Sequence, residues 1–391
     1  MKTPSKILFL ARWYPDRYDP MMGLFIKRHA VVAAGFADVA VLYLHAAPEK
    51  PYGYEIEHKL ENGVETILVY YGTKNVVPAF VAKQLAGFFY SLAFIKGYKF
   101  LLGSWGKPDI IHVNVLTRLG LFALWLRKFQ GIKYVITEHW SRYLPDTGTY
   151  KGFLRKFCTK LVVRNASAVS TVSENLAKAM QSHGLSHKYY MVLPNVVDTD
   201  DYTPAKSKIA NDKKRFIHIS CFEDRSKNIS GLLHAISKLA KLRDDFECIM
   251  VGEGIDLEKM KSLAADLNLS ESFVMFTGLL ENANVVAAYQ SADFMVMFSN
   301  YENMPVVISE SFACGLPVIA TAVGGIPEYV NNDNGRLVSA GDEAALVGAI
   351  NFMLDHYTDF DQQRIRQKAI EIFSKHAVED KLKELYDFVK Y

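Results

Sequence analysis

The sequence predicts an α/β protein of two Rossmann-like parallel-sheet domains. Three observations predict it. Short apolar runs alternate with helix-period segments through about the first 195 residues, and the alternation starts again at Phe216. Between the two, Leu193–Pro204 reads LPNVVDTDDYTP, polar and turn-rich, and the charged Lys206–Lys214 follows without an apolar period, as a domain boundary should. The chain has 391 residues, 50% of them hydrophobic, enough for two cores of ordinary size.

In the first half Ile7–Leu10 reads as a buried strand, and Arg12–Gly23 as a loop rich in Pro, Asp and Tyr. Gly23 opens a helix that Gly35 closes. Strands are expected at Val39–Leu44, Glu65–Tyr70, Asp109–Asn114, Tyr134–Thr137, Ala168–Val172 and Tyr190–Leu193, and helices at Pro78–Leu102, Leu116–Phe129, Lys151–Arg164 and Glu174–His183. Ligands of such sheets bind beyond the carboxyl ends of the strands. Gly23 stands at one such end, where it either lets backbone approach a ligand or simply starts the helix. His112 and Asn114 end a second strand, and His112 is expected to be buried and hydrogen-bonded. Thr137, Glu138 and His139 end a third. No GxGxxG dinucleotide fingerprint is present.

The second half opens with a strand at Phe216–Ser220 and a loop, Arg225-Ser226-Lys227-Asn228, whose cations suit a diphosphate. The helix Ile229–Leu242 places Leu232, Leu233, Ile236, Leu239 and Leu242 at helical spacing. Strands at Phe246–Val251, Phe273–Phe276, Phe294–Phe298, Pro317–Thr321 and Gly335–Val338 alternate with helices at Leu257–Leu267, Ala283–Ser291 and Glu343–His356, and a last helix is expected over Phe373–Tyr391. Gly252-Glu253-Gly254 forms a tight turn that a flat ring could approach. Gly324-Gly325 is either a simple turn or a second such place.

The densest chemistry lies in NYENMPVVISESFACGLPVIATAVGGIPEY, residues 300–329. Val306–Cys314 reads as a helix with Pro305 at its first position and Gly315 as its stop. Such a start aims free N–H groups of Met304, Val306 and Val307, and the positive dipole end, at an anion. Glu302 lies before this start, and Glu310 lies inside among apolar residues, where a carboxylate is costly unless it holds a donor.

Glu302 and Glu310, seven residues apart and followed by SFACGLPVIATAVGGIPE, resemble the Glu-x7-Glu signature of retaining glycosyltransferases with the GT-B fold, as in glycosyltransferase family 4. The resemblance implies two Rossmann-like domains across a cleft: an acceptor domain over 1–198, and a nucleotide-sugar domain over 205–373, with a terminal helix over about 374–391 returning to the first. It implies a UDP- or GDP-linked sugar donor, a glycan or lipid-linked glycan acceptor, and neither cofactor nor metal. His139 is then implied at the transferred sugar, Lys227 at the diphosphate and Glu302 at the sugar hydroxyls. Glu310 would take the ribose diol, and Gly252, Glu253, Gly278 and Leu279 would lie near the nucleobase. Asn303, Met304, Pro305 and Val306 would line the anion site, with Gly23 opposite. The family's Gly-Arg pair, five to six residues before the lysine, is replaced here by Cys221 and Phe222, and Arg225 is the candidate substitute. That departure keeps open a GT-B scaffold that binds without transfer; a sugar-nucleotide epimerase is a further alternative.

A net charge of +3 argues for no nucleic-acid partner. Four scattered cysteines in apolar runs suggest reduced core thiols and a cytosolic compartment. The first ten residues lack a signal-peptide core, and no window of about twenty residues is free of charge, so no transmembrane helix is expected. Phe80–Trp105 mixes aromatics with Lys83, Lys96 and Lys99, which fits a helix packed on the sheet with a solvated lysine face; contact with an anionic membrane at the inner face of the cytoplasmic membrane is the alternative.

Overall fold

The computed structural model describes residues 5–47, 53–72, 79–116, 118–207 and 212–389, with backbone only at 79–84 and 146. Pro78, Thr117, the stretch 208–211 and the last two residues of the expected terminal helix lie outside the described residues.

The first half runs β1 (Lys6–Ala11), α1 (Leu24–Ala34), β2 (Asp38–Ala46), β3 (Gly53–Glu61), β4 (Val64–Gly72), α2 (Ala79–Ser104), β5 (Ile110–Asn114), α3 (Arg118–Gln130), β6 (Lys133–Glu138), α4 (Phe153–Asn165), β7 (Ala168–Thr171), α5 (Glu174–Ser182) and β8 (Tyr190–Val192). The second runs β9 (Lys214–Ile219), α6 (Asp224–Lys227), α7 (Ile229–Leu239), β10 (Phe246–Val251), α8 (Leu257–Asp266), β11 (Val274–Gly278), α9 (Ala283–Ser291), β12 (Phe294–Met297), α10 (Val306–Ala313), β13 (Val318–Thr321), β14 (Gly335–Val338), α11 (Glu343–His356), α12 (Gln362–Phe373) and α13 (Lys375–Asp387).

Among the described residues the strands form two sheets, ordered β3-β4-β2-β1-β5-β6-β7-β8 and β11-β10-β9-β12-β13-β14. In both, the order reverses beside the first strand of the half, β1 or β9. That reversal opens a crevice at the carboxyl ends. β1 is buried from Ile7 to Ala11 and pairs in parallel with β2 and β5. Because β1 leads left to β2 and the chain later crosses right from β5, its helices divide between the two faces. On one face Ile26 and Ala30 of α1 share a core with Val378, Leu382 and Leu385 of α13. On the other lie Phe94 of α2, Leu119 of α3, Val162 of α4 and Leu176 of α5. This second core continues across the domain boundary through Val197 and Tyr202 to Ile308 and Phe312 of α10.

The first sheet is not wholly parallel, as the sequence led us to expect. β3 pairs antiparallel with β4 through a hairpin turn at Asn62 (φ 51°) and Gly63 (φ 78°). The strand alternates charged residues at an exposed edge, so it has no apolar run to read; the Asn-Gly pair, with positive φ at both positions, was the available signal. Two further elements were missed: α12, and the single turn α6, which holds Arg225 and Lys227.

On α2, Tyr90, Phe94, Tyr98 and Leu101 are buried against the sheet, as is Trp105 just after it. Leu85–Ser104 is by length and composition apolar enough to cross a membrane. Its buried face instead fixes it on β2 and β4. The cysteines are free thiols; Cys248 and Cys314 are core residues, but Cys158 is half-buried and Cys221 is exposed, contrary to the expectation of four core thiols. Cys221 lies just past the end of β9, where the chain turns toward α6 and leaves the core.

Candidate functional site

The site is assembled where the carboxyl ends of the two sheets meet. After β12, Ser299–Pro305 leads into α10. Pro305 is extended (φ −69°, ψ 127°) and precedes the first helical residue, so the helix starts one position later than the sequence suggests. The first-turn N–H groups of Val306 and Val307 lack intrahelical acceptors by position and face the loop that carries Glu302. Met304 is buried, and its carbonyl accepts from Asn195 Nδ2 at 3.2 Å.

Glu302 and Lys227 form an ion pair through Oε1 and Nζ, with side chains only 11% and 16% exposed. Ser299 Oγ donates to the same Oε1 at 3.0 Å. Burial opposes the charge on Lys227, yet the Glu302 carboxylate holds its pKa above the ordinary lysine value. The turn α6 is what presents Lys227: Asn228 ends it in the left-handed region (φ 50°), and Asp224 caps the following helix by accepting from Ser230 N at 2.8 Å. Arg225 is exposed, and among the described residues its guanidinium has no ion-pair partner; the structure does not bring it to the Lys227–Glu302 pair.

From the other domain comes His139, one residue past β6. Its carbonyl accepts from Asn303 Nδ2 at 2.6 Å, so the loops of His139 and Glu302 touch across the boundary. Its Nε2 lies 3.4 Å from Asn114 Oδ1, and its Nδ1 is buried without a partner. Burial, helped by His29 and His112, drives its pKa well below the ordinary value, so the ring is neutral at physiological pH. Beneath it, Glu138 Oε1 accepts from the backbone N–H groups of His139 (2.9 Å) and Trp140 (2.8 Å), and Oε2 accepts from Leu116 (2.7 Å). This buried carboxyl shapes the whole turn, and sequence reasoning missed it. His112 is fully buried between Tyr386 OH at 2.8 Å and Thr137 Oγ1 at 2.6 Å, a structural residue as anticipated.

Glu310 is placed differently from its neighbours. Its Oε1 pairs with Arg28 Nη1 of α1 at 2.9 Å, and its Oε2 accepts from Tyr289 OH at 3.2 Å. The donor that a carboxylate on an apolar helix requires is thus the opposite domain's arginine. A carboxylate has about four lone-pair sites, so acceptor capacity remains.

The glycines answer to protein backbone. A Cβ on Gly23 (φ 71°) would lie 2.3 Å from the Trp13 carbonyl carbon, and one on Gly252 (φ 134°) 1.9 Å from Ser220 O. A Cβ on Gly324 (φ 56°) would lie 1.7 Å from Glu302 O, and Gly325 N donates to Asn303 O at 2.7 Å. Gly324 and Gly325 therefore support the Glu302 loop from behind. Gly278 (φ 73°) faces open space, Leu279 follows it half-buried, and Glu253 is exposed, its carbonyl accepting from Phe222 N at 2.8 Å. Among the described residues no group of three or more His, Cys, Asp or Glu is placed to hold a metal ion.

This architecture has relatives. Residues 200–371 match the family described as glycosyl transferases group 1, and residues 37–201 match glycosyltransferase family 4. The 2-deoxystreptamine glucosyltransferase of Streptomyces kanamyceticus is 29% identical over 242 residues, 58% of this chain and 62% of that protein, so the match spans less than two thirds of the relative. In fold, the chain superposes on sucrose-phosphate synthase from Thermosynechococcus elongatus with a TM-score of 0.79 at 20% identity, covering 99% of both chains. Anabaena HepE, solved in complex with UDP and glucose, gives 0.73 at 18% identity, covering 98% of this chain and 99% of that one. Two Rossmann-like halves, the paired glutamates of residues 302 and 310 and these matches along 37–371 lead to one assignment: the chain has the GT-B fold, its first half matching glycosyltransferase family 4 and its second the group 1 glycosyl transferases.

Proposed function

We propose that this protein is a retaining glycosyltransferase that moves a sugar from a UDP- or GDP-linked donor to a glycan or lipid-linked glycan. The observation that carries the reading is the Lys227–Glu302 ion pair ahead of α10, joined through Asn303 to the loop of the neutral His139.

Transfer requires a leaving diphosphate neutralised, a cationic anomeric carbon stabilised and an acceptor oxygen placed. Lys227 and the N–H groups of Val306 and Val307 take the first task by preorganised electrostatics. Glu302, freed in part from Lys227 as the diphosphate arrives, accepts sugar hydroxyls. His139 meets the sugar from the other side with its unpaired Nδ1. Glu310 accepts the ribose diol on the lone pairs that Arg28 and Tyr289 leave, and the base lies near Gly278 and Leu279. The bond from the anomeric carbon to the phosphate oxygen breaks as the acceptor oxygen bonds to the same face. The acceptor proton passes to the departing phosphate oxygen, giving glycoside and nucleoside diphosphate. In this scheme cationic groups and a helix dipole carry the charge, and no metal is needed.

Membrane contact belongs to the same reading. On adjoining α3 and α4, Trp125 (48%), Phe129 (66%), Phe153 (86%), Leu154 (72%) and Phe157 (56%) are exposed, and neither helix carries an acidic residue. Arg127, Lys128, Arg155, Lys156 and Lys160 lie among them. Apolar side chains beside unopposed cations suit the interface of an anionic bilayer.

The test is twofold. Thermal shifts with UDP- and GDP-sugars identify the donor, because a ligand of the folded form raises the melting temperature. With that donor, Lys227→Ala and Glu302→Ala each lower transfer by at least about 100-fold while the fold survives. Near-wild-type turnover in both would remove the assignment.

A further inference from the structure

Three arginines follow three consecutive strands of the first sheet. Arg12 comes directly after β1, its N–H donating to Asn114 O at 3.3 Å. Arg118 opens α3 after β5, its guanidinium 5.6 Å from the Tyr90 ring. Arg142 lies in the short turn Ser141–Tyr143 after β6. Since β1, β5 and β6 are neighbours in the sheet, their carboxyl ends bring these side chains to one rim.

The rim is cationic and unneutralised. Among the described residues none of Arg12, Arg118 and Arg142 has an ion-pair partner. Arg142 stacks on Trp140 at 3.4 Å, and its Nε is buried without a hydrogen bond. The nearest acid, Glu138, has spent its oxygens on backbone N–H groups. Burial, with the added repulsion of Arg155 and Arg12, outweighs the attraction of Tyr143 and Glu138 and holds the Arg142 pKa below the ordinary value, so its charge is destabilised where it stands. An anion would relieve it. The rim also adjoins the sugar site: Trp140 lies 5.2 Å from Trp13, Trp13 lies 6.3 Å from Phe25, and Phe25 lies 4.7 Å from His139.

We propose that Arg12, Arg118 and Arg142 bind a phosphate or diphosphate ester carried by the acceptor, with Trp13 and Trp140 as the apolar floor beside it. Three guanidinium forks with no ion-paired carboxylate among the described residues exceed what one uronate needs and suit the two or more charges of a phosphate ester. The proposal rests on the glycosyltransferase reading and names its acceptor class: a sugar chain whose reducing end is phosphorylated.

Phenyl phosphate, titrated calorimetrically into the full-length protein, is the probe. Wild type and Lys227→Ala bind it alike. Arg142→Gln and the exposed-residue double variant Arg12→Gln/Arg118→Gln bind it at least about tenfold more weakly. Binding lost in Lys227→Ala but kept in the arginine variants, or no binding by wild type, would overturn the proposal. Sedimentation with phosphatidylglycerol vesicles separates the two sources of phosphate. Unchanged sedimentation of the arginine variants supports an acceptor ester, whereas a loss matching that for phenyl phosphate assigns the rim to lipid headgroups and overturns it. Donor-induced thermal stabilisation is measured in parallel and is the same in wild type and the arginine variants. Its absence from wild type defeats the donor reading alone, and phenyl phosphate still decides the rim.

Discussion

Glu138 shows how one side chain can set a site without touching a substrate. Its carboxyl is fully enclosed, and burial pushes it up to about 7 against three backbone N–H donors that favour the charged form. An unfolded chain titrates the same group near about 4.3. Between those values the fold binds the extra proton on Glu138, so this group's contribution to stability is greatest at the acid end, falls as pH rises through the window, and is level above about 7. The buried neutral His29, His112, His139 and His218 slope the opposite way, so the test is the difference: melting temperature of wild type minus that of Glu138→Gln, which cannot titrate, should fall across the window, and parallel curves would refute the assignment. The residue was not legible beforehand. Thr137-Glu138-His139 points to the histidine by resemblance, but Glu138 works through N–H groups at 116, 139 and 140, and only the folded chain brings the first of these near the other two. Arg28 escaped for the same reason: its partner Glu310 is 282 positions away.

Elements were more legible than contacts. The alternation of apolar runs and helical periods located both halves, and Gly23 and Gly35 bound α1 where expected. The exceptions are elements whose stabilisation is not local. β3 is an exposed edge held by β4, and α12 is a polar helix anchored by Ile365, Ala369 and Phe373. The α10 start was legible because Pro305 stands ahead of an apolar run that Gly315 closes, the two punctuation marks of a helix. What supports it was not: Gly324 and Gly325 read as either a simple turn or a place of ligand approach, yet they back the Glu302 loop. A pair of substitutions separates the two kinds of glycine. Gly278→Ala meets nothing within 4 Å and should cost only the left-handed backbone penalty, about 1–2 kcal/mol. Gly324→Ala adds to that a collision with the Glu302 carbonyl, so the loop must move. It should lower the melting temperature further and weaken donor binding by at least about tenfold, since Glu302 and the helix start shift together. Equal effects of the two substitutions on melting temperature would count against the support role.

At the scale of the molecule, the two halves are joined by the apolar core that crosses the boundary at Val197, Tyr202, Ile308 and Phe312, and by polar contacts around the cleft. Asn303 binds the His139 carbonyl, Asn195 binds the Met304 carbonyl, and Arg28 pairs with Glu310. The fourth tie is a helix cap supplied in trans. Glu328 of the second domain accepts from Glu174 N at 2.9 Å and Asn175 N at 2.7 Å, the first two residues of α5, while Ser173 Oγ caps Leu176 N at 3.2 Å. Together they satisfy three of the orphan donors of that helix, and the carboxylate also meets its positive end. These ties differ in depth, so they should differ in consequence. Glu310 is 7% exposed, and Glu310→Ala strands Arg28 in the interface, at a cost of about 3 kcal/mol in stability. Glu328 is exposed, and water can replace it on the α5 donors, so Glu328→Ala should cost only about 1 kcal/mol. Its effect should appear instead in the balance between closed and open arrangements: with one tie gone, the ligand-free radius of gyration measured by small-angle scattering should rise. If nucleotide binds between the halves as proposed, saturating nucleotide should bring it back toward the wild-type value. If the scattering of Glu328→Ala matches wild type without ligand, the cap is decoration on a cleft held by its buried contacts alone.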